Sequence, residues 1–222
     1  ESLAVFATLG VLSFSFPYAL VYWSEQYIAS GLASVLFAIY PFVVAGISHF
    51  VLKGERLNGF KLIGIVAGFA GIIIIFWDDV HVGGANVAAM GGMLLSSVLQ
   101  AISLVTVKKR GKHIDPVAMN VGGIMFGLAI MYVLAFFFES INDIHLDAKG
   151  WGSIFYLGTF GTVITFVVYY WLLRRVEAVY LSLMALVTPV LAVVLGTILL
   201  HESLSPRVFS GAALVLTGIM IA

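Results

Sequence analysis

Long apolar runs separated by short polar stretches dominate the chain. They cover approximately Leu3 to Tyr22, Gly31 to Leu52, Phe60 to Trp77, Ala85 to Val107, Val117 to Phe138, Trp151 to Leu173, Val179 to Leu200 and Val208 to Ala222. A helix rising about 1.5 Å per residue needs about 20 apolar residues to cross a hydrocarbon layer about 30 Å thick. The pattern therefore predicts an all-α integral membrane protein with eight spans, the last cut short by the chain end. The first run has no basic leader and is too long for the apolar core of a signal peptide, so it reads as a structural span. Pro17, Pro41 and Pro189 fall inside runs. They would break a soluble helix, but membrane helices tolerate them where neighbours satisfy the freed carbonyls.

Composition narrows the functional classes. Of 222 residues, 62% are hydrophobic and 10% charged, which no soluble surface could accommodate. Lys plus Arg and Asp plus Glu number 11 each, so no net field points to a nucleic acid partner. The absence of cysteine excludes disulfides, thiolate metal sites and a cysteine nucleophile. There is no phosphate-binding loop. His49 has no second histidine or carboxylate at ligand spacing and reads as a polar packing residue. Neither a cofactor nor a metal is expected, and the partners implied are the lipid bilayer and a small-molecule solute.

Placement of charge orients the spans. One set of connections holds Lys53, Arg56, Lys61, Lys108, Lys109, Arg110, Lys112, Arg174 and Arg175; the alternate set holds only Lys149 and Arg207, with Glu25, Asp78, Asp79, Glu139, Asp143 and Asp147. Basic residues in short loops collect on the cytoplasmic side. The first set and the C-terminus are therefore expected in the cytoplasm. Trp23, Trp77, Trp151 and Trp171 fall at span ends, as interfacial aromatics do.

The chain also resembles itself. A register of 148 pairs Leu9 with Leu157, Gly10 with Gly158, Tyr22 with Tyr170, Trp23 with Trp171, Ser34 with Ser182 and Pro41 with Pro189. After one deletion, Leu52 pairs with Leu199, Glu55 with Glu202, Leu57 with Leu204, Gly64 with Gly211 and Gly71 with Gly218. Five spans separate the paired elements, an odd number, so the copies lie in opposite orientation. An inverted-repeat helical bundle is the expected architecture, with a substrate site near the midplane where the halves meet. A duplicated scaffold without transport is the alternative. Residues 85–222 form a five-span repeat, and residues 1–84 form a repeat without its first two spans. The expected parent has ten spans, with roughly 60 residues before Glu1.

The paired stretches resemble the drug/metabolite transporter superfamily, specifically its EamA-type family of ten-span carriers. In the first copy these are Tyr22-Trp23, Ala29-Ser30-Gly31, Pro41, Gly54-Glu55-Arg56-Leu57 and Gly64 with Gly71. The second copy reads Tyr170-Trp171, Glu177-Ala178, Pro189, His201-Glu202-Ser203-Leu204 and Gly211 with Gly218. The resemblance covers essentially the whole chain and departs from the family in lacking two spans. It implies metabolite transport, often amino acid export, in a bacterial inner membrane.

Every Asp, Glu, Lys and Arg falls in a loop or at a span end. A buried carboxylate relay is therefore not expected, and a neutral, zwitterionic or amphipathic solute fits better than a strongly charged one. Candidate contacts are uncharged. Ser96, Gln100 and Ser103 share one helix face, with Gln100 near mid-span. Such a face serves either a solute or interhelical hydrogen bonding. Thr159, Thr162 and Tyr169 make a comparable stripe, although threonine also bonds back to its own helix. Tyr40 and Thr188 adjoin Pro41 and Pro189, paired positions that either hinge a movement or shape the packing. The expected solute contacts are Phe14, Tyr40, Ser96, Gln100, Thr162 and Thr188, and a midplane pocket lined by Phe14, Tyr40, Gln100 and Thr162 would favour a carrier. Gly64, Gly68, Gly71, Gly123 and Gly127 read as close-packing positions, and Glu55 and Glu202 as loop-ordering groups. No pair of His, Asp or Glu stands at catalytic spacing, so an enzyme is not expected. A receptor or scaffold subunit would show no cavity.

Overall fold

A computed structural model of the chain describes residues 2–77, 87–138, 147–191 and 206–222. The described residues form eight helices in the order the apolar runs predict: α1 (Ser2–Glu25), α2 (Ser30–Phe37 continued as Tyr40–Val51), α3 (Gly59–Ile75), α4 (Val87–Arg110), α5 (Pro116–Phe137), α6 (Ala148–Leu173), α7 (Ala178–Leu191) and α8 (Pro206–Ile221). Five of these, α1, α2, α4, α5 and α6, are long and apolar enough to cross a membrane. The eight expected spans are thus met in part. Asn58 accepts from the Lys61 amide at 2.8 Å and starts α3 at Gly59, which leaves it 17 residues. Helix α8 has 16 residues, and the run expected as the seventh span continues past Leu191, outside the described residues.

Two helices change pitch at their middles. The i to i+5 turns of a π-helix run over Gly10–Ser15 in α1 and over Leu157–Ile164 in α6, positions that the 148-residue register superposes. A wide turn leaves carbonyls displaced from the usual ladder, and polar side chains answer them. Ser15 Oγ donates to Gly10 O at 2.6 Å, and Thr162 and Thr165 donate to Leu157 O and Phe160 O. Asn120 reaches across from α5 to Val163 O at 3.2 Å.

Packing follows small residues. A Cβ built on Gly71 would lie 2.6 Å from Gly211 O, and one on Gly218 would lie 2.6 Å from Gly64 O. Helices α3 and α8 therefore touch backbone to backbone, as the glycine stripe predicts. Helix α1 lies on α4 and α5, where a Cβ on Gly123 would come 2.8 Å from Leu9 Cβ. One apolar core joins α1, the second half of α2, α4 and the α6–α7 junction; another joins α2, α3, α7 and α8.

The expected mid-span proline kinks take a particular form. Helix α2 is interrupted at Ala38–Ile39, and Pro41 stands in the first turn of the segment that follows. There its missing N–H would have had no helical acceptor in any case. The carbonyl of Ile39 accepts from both Phe42 and Val43. In α7 the break falls at Leu183, six residues before Pro189.

Candidate functional site

Between α1, α2, α4, α6 and α7 lies a cavity of about 270 Å³ whose walls include Tyr40, Gln100, Phe166, Tyr169 and Thr188. It adjoins a second space of about 320 Å³, lined by Glu25, Ser34, Met93 and Pro189, and the two share Tyr18, Phe37, Gln100, Ala185 and Thr188. Together they extend from Val107 and Leu173, near the basic end of the bundle, past Gln100 to exposed Glu25 at the opposite end.

Aromatic rings form much of the wall. Phe37 stacks on Tyr40 with centroids 5.6 Å apart, Tyr169 meets Tyr170 edge-on at 5.8 Å, and Phe166 lies 6.2 Å from Tyr169. The hydroxyls of Tyr40 and Tyr169 pair across the cavity at 3.4 Å. Gln100 donates from Nε2 to Ser96 Oγ at 3.2 Å, and Ser96 donates to Pro17 O on α1, also at 3.2 Å. Ser103, on the same stripe, accepts from Ser13 at 2.7 Å. The stripe thus fastens α4 to α1, and Gln100 alone of its three members faces the cavity.

The expected contacts separate. Tyr40, Gln100 and Thr188 come together in the central cavity. Phe14 and Thr162 do not join them: they line a lateral space of about 530 Å³ between α1, α5 and α6. Phe166 stands between the two spaces and meets Phe14 edge-on at 5.0 Å. Ser96 is fully buried behind Gln100 and lines neither space. Phe14 and Thr162 both lie inside the wide turns of α1 and α6, where the backbone departs from the 3.6-residue face that sequence spacing assumes.

A buried ionic cluster closes the basic end, directly beyond Val107 and Leu173. Lys108 donates to Leu173 O at 2.6 Å and to Val176 O, and its Nζ lies 3.4 Å from Glu55 Oε1. Glu55 Oε2 accepts from the Ala178 amide at the start of α7, at 2.7 Å. Lys61 pairs with Glu177 and donates to Arg56 O at 3.2 Å. Glu55, Lys61 and Lys108 are all buried. The cluster ties the α2–α3 connection to α4 and to the α6–α7 junction. Glu55 has the loop-ordering role expected of it, while Glu202 lies outside the described residues. His49 accepts from the Leu57 amide at 3.3 Å, in keeping with a packing role.

Sequence spacing missed Phe37, Phe166, Tyr18 and Glu25 as wall residues, and it missed the Lys108 and Lys61 pairings. An aromatic in an apolar run carries no signal of the face it shows. Two basic residues at span ends were read for orientation alone, although each stands level with a glutamate of another connection.

Apolar helices around a central cavity, with ionic contacts beneath one end, form an arrangement that suits a membrane transport protein. The model of the EamA-like transporter family matches residues 1–77 and 88–222, and the chain belongs to that family. It is 32% identical over 202 residues to the uncharacterized transporter YoaV of Bacillus subtilis, covering 90% of this chain and 68% of that one. It is also 32% identical over 217 residues to an uncharacterized transporter of Archaeoglobus fulgidus, covering 98% and 76%. A solved crystal structure superposes with a TM-score of 0.82 at 18% identity, covering 98% of this chain and 76% of that chain, which supports the fold alone.

Proposed function

We propose that the protein is a secondary transporter that moves small metabolites, amino acids or similar neutral, zwitterionic or amphipathic solutes, out of the cell by alternating access. The observation that carries this reading is a central aromatic cavity with a buried ionic cluster at its basic end. Breaking and remaking such a cluster would open the cavity to one side at a time. Tyr40, Gln100 and Thr188 contact the solute in this reading. Phe14 and Thr162 line the lateral space, and Ser96 holds Gln100 in place.

Two contacts support an inverted repeat of residues 1–84 and 85–222. Gly64 meets Gly218 and Gly71 meets Gly211, while the repeat register equates Gly64 with Gly211 and Gly71 with Gly218. Each contact is therefore the image of the other, the signature of a two-fold axis between α3 and α8. The coincident wide turns of α1 and α6 agree with it. The interruptions near Pro41 and Pro189 are the hinge candidates. In this reading the basic end lies in the cytoplasm, by the distribution of Lys and Arg, and the ionic cluster stands on that side of the cavity. A bacterial inner membrane is the setting the family implies.

Counterflow into proteoliposomes tests the reading, with amino acids, nucleosides and small amines as the panel. Saturable exchange of one class, weakened by Gln100→Ala, is expected. A folded protein that exchanges nothing would instead be a scaffold or receptor subunit.

A further inference from the structure

Two rings divide the interior of the bundle. Among the described residues, Tyr18 and Phe166 are the ones that line both the central cavity of about 270 Å³ and the lateral space of about 530 Å³. The register that pairs Leu9 with Leu157 also pairs Tyr18 with Phe166, and each stands just beyond the wide turn of its own helix. One position, used in both copies, supplies the partition.

The spaces on its two sides differ in character. The central one holds Gln100, Thr188 and the hydroxyl pair of Tyr40 and Tyr169, and it adjoins the space that reaches exposed Glu25. The lateral one is walled by Phe14, Ile124, Leu128, Met131 and Leu157. Leu128 and Leu157 stand exposed on the flank of the bundle, the side that meets hydrocarbon. A solute in the central cavity that spread sideways would therefore meet Phe166 first and lipid-facing apolar walls behind it.

No neighbour can take the place of the Phe166 ring. It meets Phe14 edge-on at 5.0 Å. Phe14 is itself pressed into α5, where a Cβ on Gly127 would lie 2.7 Å from Phe14 Cβ and one on Gly123 would lie 3.0 Å from Phe14 Cε2. Wedged against two glycines, Phe14 is not free to swing into a gap. Phe166 has no polar side-chain atom, so its truncation strands no hydrogen-bond partner and acts through volume alone.

We propose that Phe166 is a specificity-determining residue of the solute site: its ring bars the apolar body of a solute from the lateral space and so limits how bulky that body is. This rests on the transporter reading and gives it a size limit.

The sequence has no cysteine, so a single introduced thiol reports on one position. The chain in nanodiscs is treated with a charged, water-soluble methanethiosulfonate. Ala185→Cys, on the central wall, should react, and Thr162→Cys, behind Phe166, should react at least roughly tenfold more slowly. Adding Phe166→Ala should speed Thr162→Cys roughly tenfold and leave Ala185→Cys within about twofold. Counterflow then compares a small and a bulky member of each panel class: alanine with tryptophan, adenosine with benzyladenosine, and ethylamine with tryptamine. In the class that exchanges, Phe166→Ala should raise the bulky-to-small ratio roughly tenfold, Phe166→Leu should raise it less, and Phe166→Trp should lower it. Phe166→Leu keeps an apolar side chain and carries the same test where Phe166→Ala fails to fold. Equal rates at the two thiols with Phe166 in place overturn the proposal, as does a Thr162→Cys rate that truncation leaves unchanged. A faster thiol with an unchanged solute ratio overturns the size limit and keeps the transporter. Absence of all exchange, in chains whose thiols react as expected, overturns the transporter reading and the size limit with it.

Discussion

Helices α1 and α6 are written alike and packed differently. The register of 148 equates Leu9 with Leu157 and Gly10 with Gly158, and both helices widen to a π turn at that point. Yet Leu9 is 1% exposed and Leu157 60% exposed. A Cβ on Gly10 would meet Phe126 and the Gly127 amide of α5; one on Gly158 would meet nothing within 4 Å. None of the residues in the most apolar stretch of α6 is buried, and it is held at its C-terminal end, where Tyr170 and Leu173 are buried and Lys108 takes the Leu173 carbonyl. Helix α1 has α4 and α5 against it, whereas the equivalent face of α6 meets no helix among the described residues, so the two faces differ in the neighbours present. Lipid solvates a leucine as well as a neighbouring helix does, so what holds two helices together is close contact and hydrogen bonding, which depend on the neighbour.

The sharpest way to break the comparison is to fill the two glycines. Gly10→Leu in the 222-residue chain should separate α1 from α5 at a cost of about 3 kcal/mol or more, whereas Gly158→Leu should stay within about 0.5 kcal/mol, read by reversible unfolding in mixed detergent micelles. Equal losses would mean that α6 has a partner face like that of α1. Next in size is the anchor of α6. Lys108→Met leaves Glu55 buried without its cation and should cost about 3 kcal/mol, and adding Glu55→Gln should recover part of that loss. Full additivity of the two changes would show that they act apart. Leu9→Ala is expected to cost about 2 kcal/mol and Leu157→Ala under about 0.5 kcal/mol in the same assay. The smallest effect falls on Asn120, which bridges α5 to the wide turn of α6. Asn120→Ala should cost about 0.6 kcal/mol and speed amide exchange near Val163, and unchanged exchange there would remove the bridge from the account.

Much of the membrane layout was legible in advance, because a span announces itself by length and apolarity. The glycine stripe of α3 and α8 and the cap-like role of Glu55 were legible too, since small residues in a span and a carboxylate at its end have few other uses. The cavity was legible only where polarity marked it. Gln100 stood out as an amide at mid-span and does face the cavity, while Ser96, on the same face, turned out to be its support. Phe14 and Thr162 fell on the far side of Phe166, because the widened turns of α1 and α6 shift the helical face by an amount that residue spacing does not encode. Glu25 and Lys108 read as loop charges until the fold set one at the cavity entrance and buried the other beneath its floor.

The sequence by itself determined which segments are apolar enough to enter a bilayer and where small residues allow helices to touch. These follow from transfer free energy and backbone chemistry, which are properties of each segment. The tertiary structure decided which aromatic rings share a wall, which carboxylate meets Lys108, and which helices cover Leu9. Those outcomes belong to pairs of helices, and no single segment contains its neighbour.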